Sequence, residues 1–194
     1  MIEIIAATGN VNKVKEFKEI LGNDYDVKSL KDIGLKLDVV EDADTFYGNA
    51  LIKAKAIAEA TGKIALADDS GLVVDALGGA PGVYSARYSG EDGNDVLNRA
   101  KLLKEMAGVE NRTARFHAAI VLYYPDGTII HTEGDTEGTI LYKEEGENGF
   151  GYDSLFYSTD LNQSFGVADS DAKNAVSHRG RALKALVEIL NAKE

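Results

Sequence analysis

The 194-residue chain contains no cysteine. That absence excludes disulfide scaffolds, cysteine-ligated zinc, iron–sulfur clusters and thiol nucleophiles together. Long apolar runs are missing too. The longest, Ala118 to Tyr124, is seven residues, far short of the roughly 20 that a membrane-spanning helix needs. The opening Met-Ile-Glu-Ile-Ile carries no basic stretch, so no secretory signal is expected. Positive charge is scarce, with 21 Lys and Arg against 32 Asp and Glu and a net charge of −11. Nucleic acid polymers need basic stripes that displace counterions, so they are poor partners for this chain. A single nucleotide is still compatible, because local lysines, backbone N–H groups and a divalent cation reverse the field over short distances. What is present is ordinary for a globular domain: 44% hydrophobic and 27% charged residues. The length suits one domain over residues 1–194, able to bury about 70% of its unfolded surface without a staple. The expectation is a cytoplasmic protein with no membrane partner.

Residue patterning then gives the elements. Ile2 to Ala7 reads as a buried strand closed by Thr8-Gly9-Asn10. Val11, Val14, Phe17, Ile20 and Leu21 follow at helical spacing, with Gly22 as the stop. Tyr25 to Leu30 reads as a second strand. Asp32 to Asp44 is a long connection holding Asp32, Asp38, Glu41, Asp42 and Asp44. Thr45 to Ala60 reads as an amphipathic, alanine-rich helix ended by Gly62. Two short strands, Ile64 to Asp68 and Leu72 to Ala76, are expected around Asp69-Ser70-Gly71. Gly78 to Gly82 reads as a loop, and Asp95 to Met106 as a helix stopped by Gly108. Arg115 to Tyr124 and Thr128 to Thr132 flank Pro125-Asp126-Gly127, a hairpin signal. Glu144 to Gly151 is a glycine-shaped loop, and Ser177 reads as the N-cap of the last helix. Helices alternating with strands, followed by a hairpin, make the class α/β with a mixed sheet.

Three constellations carry chemistry. Thr8-Gly9-Asn10-Val11-Asn12-Lys13 lies at a strand-to-helix turn, where free N–H groups and the helix dipole suit phosphate. It lacks the second glycine and the hydroxyl residue of a Walker motif, and its bland reading is a capped helix with a solvated lysine. Asp68 and Asp69 end an apolar strand, so their carboxylates point to different faces. With Glu41, one of them makes an oxygen-only magnesium site, the other an anchor; a solvated acidic turn is the alternative. Phe150-Gly151-Tyr152-Asp153 sets aromatic rings and a carboxylate on a glycine loop, suited to a nucleobase or to a plain turn. The three histidines, His117, His131 and His178, share no metal-ligand spacing. Only His178 stands apart, next to Arg179 at a helix start.

Taken in order, these segments resemble a known family. Thr8 to Lys13, Glu41 with Thr45-Phe46 and Asn49-Ala50, Ala67 to Leu72, Gly78 to Arg87, Gly149 to Asp153, and Lys173 to Gly180 are similar to the motifs of the inosine/xanthosine triphosphate pyrophosphatases. These are house-cleaning hydrolases of deaminated purine nucleotides, and the likeness runs from residue 8 to residue 183. It implies an elongated, two-lobed mixed-sheet fold with a cleft between the lobes, and a homodimer. It also implies Mg2+-dependent hydrolysis of ITP, dITP and XTP to the monophosphate and pyrophosphate. By motif match, Thr8, Gly9, Asn10, Val11, Asn12, Lys13 and Lys53 would hold the phosphates. Glu41 and Asp69 would hold the metal, with Asp69 also the proton acceptor for the attacking water. Ser70, Phe150, Gly151, Tyr152, Asp153, Lys173, His178 and Arg179 would line the nucleoside site. Ser154 and Asn148 depart from the motif, standing where proline and glycine are usual. Two rival readings are a pyrophosphatase for other modified nucleotides and a non-catalytic nucleotide sensor.

Overall fold

The chain alternates strand and helix through its first half, and the computed structural model describes residues 2–192. In chain order the elements are β1 (Ile2–Ala6), α1 (Val11–Leu21), β2 (Tyr25–Ser29), α2 (Phe46–Thr61), β3 (Ala65–Val74) and α3 (Asp95–Glu105). They continue with β4 (Thr113–Tyr123), β5 (Ile129–Ile140), β6 (Phe156–Ser158), β7 (Gln163–Ser164), α4 (Ser170–Val176) and α5 (His178–Asn191). The sheet order is β2-β1-β3-β4-β5-β6-β7. β1 runs parallel to both β2 and β3, while β6 is antiparallel to β5 and β7, so the sheet is mixed. Helix ends follow local chemistry. The Asn10 side chain caps α1 and the Thr45 hydroxyl caps α2, while Gly62 stops α2 in the left-handed conformation.

The chain divides into two compact units. The first comprises the chain up to Asp69, Ala118–Glu133 and the chain from Arg179 onward; the second comprises Ser70–His117 and Gly134–His178. In the first unit the sheet is buried on both faces, as parallel strands require. Ile4, Leu66 and Ile120 pack with Phe17 of α1 and Leu183 and Leu186 of α5. On the other face Ile5, Ala67 and Val121 meet Ala50, Ala54 and Ile57 of α2. The second unit has its own core, in which Leu72, Phe116, Ile140, Phe156 and Phe165 gather with Leu102 and Met106.

Five elements differ from the sequence expectation. β3 is one continuous strand through Asp69-Ser70-Gly71 rather than two short ones, and its polar residues face partners instead of forming a turn. β5 extends to Ile140, well past Thr132. Between Ile130 and Ile140 its inward positions are Thr132, Gly134, Thr136 and Gly138, so no apolar alternation announces the extension. Gly138 is dictated by space, since a Cβ there would collide with the Tyr157 carbonyl and the Phe156 ring. The short β6 and β7 pair and the seven-residue α4 carry too few periods to be read from sequence.

Candidate functional site

Because side chains alternate along β3, Asp68 points to the α1/α5 face and Asp69 to the α2 face. Asp68 is completely buried. The Arg179 guanidinium forks onto it, Nε to Oδ2 at 3.1 Å and Nη2 to Oδ1 at 3.1 Å. The Lys13 ammonium lies 2.6 Å from Oδ1. Nη1 of Arg179, itself only 1% exposed, donates to the buried Glu16 one helical turn beyond Lys13. Burial alone would raise the proton affinity of Asp68, but the charges of Arg179 and Lys13 hold it well below the usual carboxylate range. Burial lowers the Lys13 ammonium, offset only in part by Asp68. Arg179 stays protonated because Asp68 and Glu16 outweigh its desolvation.

The α2 face is built differently. Lys53 of α2 donates to the Asp68 backbone carbonyl at 2.9 Å and lies 3.1 Å from Glu41 Oε2 and 3.9 Å from Asp69 Oδ1. Asp69 is 8% exposed, and its buried Oδ2 finds no hydrogen-bond partner among the described residues. Burial pushes its carboxyl up to about 6, against the pull of Lys53 and Lys13. Glu41 reaches this place because α2 pins the connection that carries it. The Ala43 amide donates to the buried Asn49 side chain at 3.0 Å. Gly48 leaves room for that approach, where a Cβ would strike Ala43.

Among the described residues no group of three or more His, Cys, Asp or Glu forms a ready metal cage. Two carboxylates, with one buried oxygen unpartnered, still fit Mg2+, which takes one or two protein carboxylates and completes its shell with phosphate oxygens and water.

The turn before α1 is partly committed to its own cap. Asn10 Oδ1 accepts the Asn12 and Lys13 amides at 2.9 and 3.4 Å, and Thr8 Oγ1 accepts the Asn10 amide at 3.1 Å. The cap thus takes part of the N–H set of this turn. Gly9, Val11 and Asn12 are exposed, and Lys13 is half-buried.

In the second unit Lys173 and Asp153 form a buried pair at 2.7 Å. Asp153 Oδ2 also accepts the Phe150 amide at 3.0 Å, and the Lys173 ammonium sits 4.9 Å from the Phe150 ring centre. The Tyr152 hydroxyl donates to the Ser85 carbonyl at 2.6 Å. Asn148 donates to the Val167 and Ala168 carbonyls, which gives its departure from glycine a physical use. Ser70 is half-buried on β3, and His178 stacks on Phe116 with ring centroids 4.8 Å apart.

The structure thus gathers Lys13, Asp68 and Arg179 in one network and Glu41, Lys53 and Asp69 in another, with Phe150, Asp153 and Lys173 together in the second unit. Arg179 is placed among carboxylates, its fork and Nη1 already taken. Glu16 was missed by the sequence reading. Its signal was legible, since it falls between Val14 and Phe17 on the apolar face of α1, where a carboxylate requires a cation.

The fold and these charge sets define a mixed α/β protein in which β3 carries two adjacent, oppositely paired carboxylates midway along its length, one of them bound by a strand-to-helix lysine. Residues 4–189 match the Ham1 family. The chain is 51% identical over 193 residues to the dITP/XTP pyrophosphatase of Desulforamulus reducens, covering 98% of this chain and 96% of that protein. It is 50% identical to the Bacillus licheniformis protein of the same name, covering 98% and 99%. The structure of the Staphylococcus aureus Ham1 protein superposes with a TM-score of 0.88 at 38% identity, covering 99% of this chain and all of that one. The chain belongs to the Ham1 family.

Proposed function

We propose that this protein hydrolyses deaminated purine nucleoside triphosphates, dITP, ITP and XTP, to the monophosphate and pyrophosphate. Water adds at the α-phosphorus, the α–β anhydride bond breaks, and pyrophosphate leaves. One observation carries the reading: the buried, half-unpartnered Asp69 carboxylate shares Lys53 with Glu41, while Asp68 behind it is fully neutralised. The relatives named dITP/XTP pyrophosphatase support it.

Glu41 and Asp69 would hold Mg2+, which when bound neutralises phosphate charge and acidifies water. Lys13 and Lys53, with the turn Thr8 to Asn12, face the triphosphate charge, the dominant demand of phosphoryl chemistry. Asp69 would also accept the proton of the attacking water. For the nucleoside we assign Ser70, Phe150 to Asp153, Lys173 and His178. Lys173 carries donors only and His178 can donate from a ring nitrogen, so both suit the 6-oxo acceptor of hypoxanthine and xanthine and not the amino group of adenine. Arg179 is engaged by Asp68 and Glu16, as Lys173 is by Asp153, and we propose that it lines the nucleoside site while fixing Asp68. We further propose that residues 1–194 act as one pyrophosphatase domain, as a cytoplasmic homodimer.

The test is pyrophosphate release with Mg2+ across ITP, dITP, XTP, ATP, GTP and modified pyrimidine triphosphates. A buried donor set against a donor costs about 1–3 kcal/mol per group, so kcat/KM for ITP should exceed that for ATP by roughly 100-fold. Comparable hydrolysis of ATP and ITP overturns the substrate assignment. Nucleotide binding without pyrophosphate release makes the protein a sensor.

A further inference from the structure

Within the second unit, one residue of the Phe150–Asp153 loop is gripped at both of its main-chain polar groups by a single helix. The Gly151 amide donates to Asp95 Oδ2 at 2.9 Å, and the Gly151 carbonyl accepts from Arg99 Nη1 at 2.9 Å. Asp95 and Arg99 are four residues apart on α3, so they share a helix face. Asp95 opens the helix, which Asn94 caps through the Leu97 amide at 3.1 Å. Arg99 is steadied from its other side by Glu144, whose Oε1 accepts from Nε at 2.8 Å. Gly151 has φ +59, a conformation an L side chain rarely adopts, and the clasp holds it there. The flanking residues Phe150, Tyr152 and Asp153 are tied down beside it. Phe150 is tied to Asp153 and Lys173, and Tyr152 to Ser85.

We infer that Asp95 and Arg99 are positioning residues that determine base selectivity by setting the conformation of the Gly149–Asp153 loop. The inference rests on the proposed assignment of that loop to the nucleoside. Neither side chain acts on the phosphates, so their loss falls on recognition of the base and not on turnover of a bound substrate. A hydrogen-bonded pocket whose donors shift by a fraction of an ångström loses discrimination before it loses chemistry.

The experiment measures kcat and KM for ITP and ATP with the wild type and with Arg99→Ala, Asp95→Ala, Arg99→Lys and the double alanine variant. Hydrogen exchange is followed over residues 145–155. The alanine variants should lose about tenfold or more of the ITP-over-ATP preference, mainly through a higher KM for ITP, with kcat held within about threefold. Amide exchange across the loop should accelerate. Because both residues grip the same residue, Gly151, the double variant should lose little more than the worse single one. Arg99→Lys keeps a donor for the carbonyl and should recover part of the preference even where an alanine variant folds poorly. Unchanged preference and unchanged exchange in folded variants overturn the positioning role while leaving the nucleotide assignment intact. A wild type that shows no preference between ITP and ATP overturns the assignment itself, and this role with it.

Discussion

Asp68 and Asp69 are neighbours on one strand, yet the two faces of β3 hold them in opposite electrostatic states. On the α1/α5 face two carboxylates, Asp68 and Glu16, meet two cations, Lys13 and Arg179, through short and forked bonds. On the α2 face two carboxylates, Glu41 and Asp69, share one cation, Lys53, which lies 3.9 Å from Asp69. Both aspartates are buried, but one is held acidic and the other is pushed up to about 6. Burial therefore does not set the outcome; the number and geometry of cations do. The balanced face is finished as it stands. The other has an excess of negative charge, which is what a divalent cation bound with its phosphates would relieve.

The strongest way to break this comparison is Asp69→Asn. It keeps the shape and one acceptor oxygen but removes both the charge offered to a metal and the basicity offered to water. Turnover of ITP should fall about 10³-fold or more. Retention of more than about a tenth of wild-type turnover at saturating Mg2+ would place the chemistry elsewhere.

On the balanced face the expected loss is of stability. Arg179→Met removes the guanidinium from two buried carboxylates at once, and stranding a buried partner typically costs about 3–5 kcal/mol. Denaturant titration should show that loss at neutral pH, shrinking as the pH falls and Asp68 takes up a proton. The sign follows from Asp68, whose folded-state proton affinity is depressed. Its stabilisation is present above the ordinary carboxylate range and disappears in acid. A variant as stable as the wild type at neutral pH would show that the network contributes no net stability.

Much of this was legible in the sequence, and the part that was not has a physical reason. The stops Gly22 and Gly62 announced the ends of α1 and α2 correctly, because helix termination is a local matter. Alternation on β3 predicted that Asp68 and Asp69 part company, but not which face would be saturated with cations. That depends on Glu16 and Arg179, 163 residues apart in the chain, a pairing with no local signature. The sequence reading set Arg179 against a base because its neighbours match a motif. The fold also sets its guanidinium against Asp68 and Glu16, carboxylates that offset the cost of burying it. The outer half of β5 was invisible because its inward residues before Ile140 are Thr and Gly, and Gly138 is set by the space beside Phe156 rather than by hydrophobicity.

The smallest expected effect is also the sharpest test of the uneven face. Without a metal, the folded state holds the Asp69 proton up to about pH 6, whereas an unfolded chain releases it near 3.8. The group therefore adds its stability in full below about pH 4 and loses it as the pH rises through 6. At about 1.4 kcal/mol per pKa unit, the shift amounts to about 2–3 kcal/mol. Asp69→Asn removes that titration. In the presence of a chelator the variant should be more stable than the wild type above pH 6, by about 1–3 kcal/mol, while the difference fades towards pH 4. Urea titrations between pH 4 and 8 measure it directly. Mg2+ with pyrophosphate should then stabilise the wild type more than the variant, because only the wild type keeps the charge excess that a cation relieves. A variant no more stable than the wild type at pH 7.5, or a gain independent of pH, would mean that Lys53 already balances Asp69 and that the two faces of β3 are electrostatically alike.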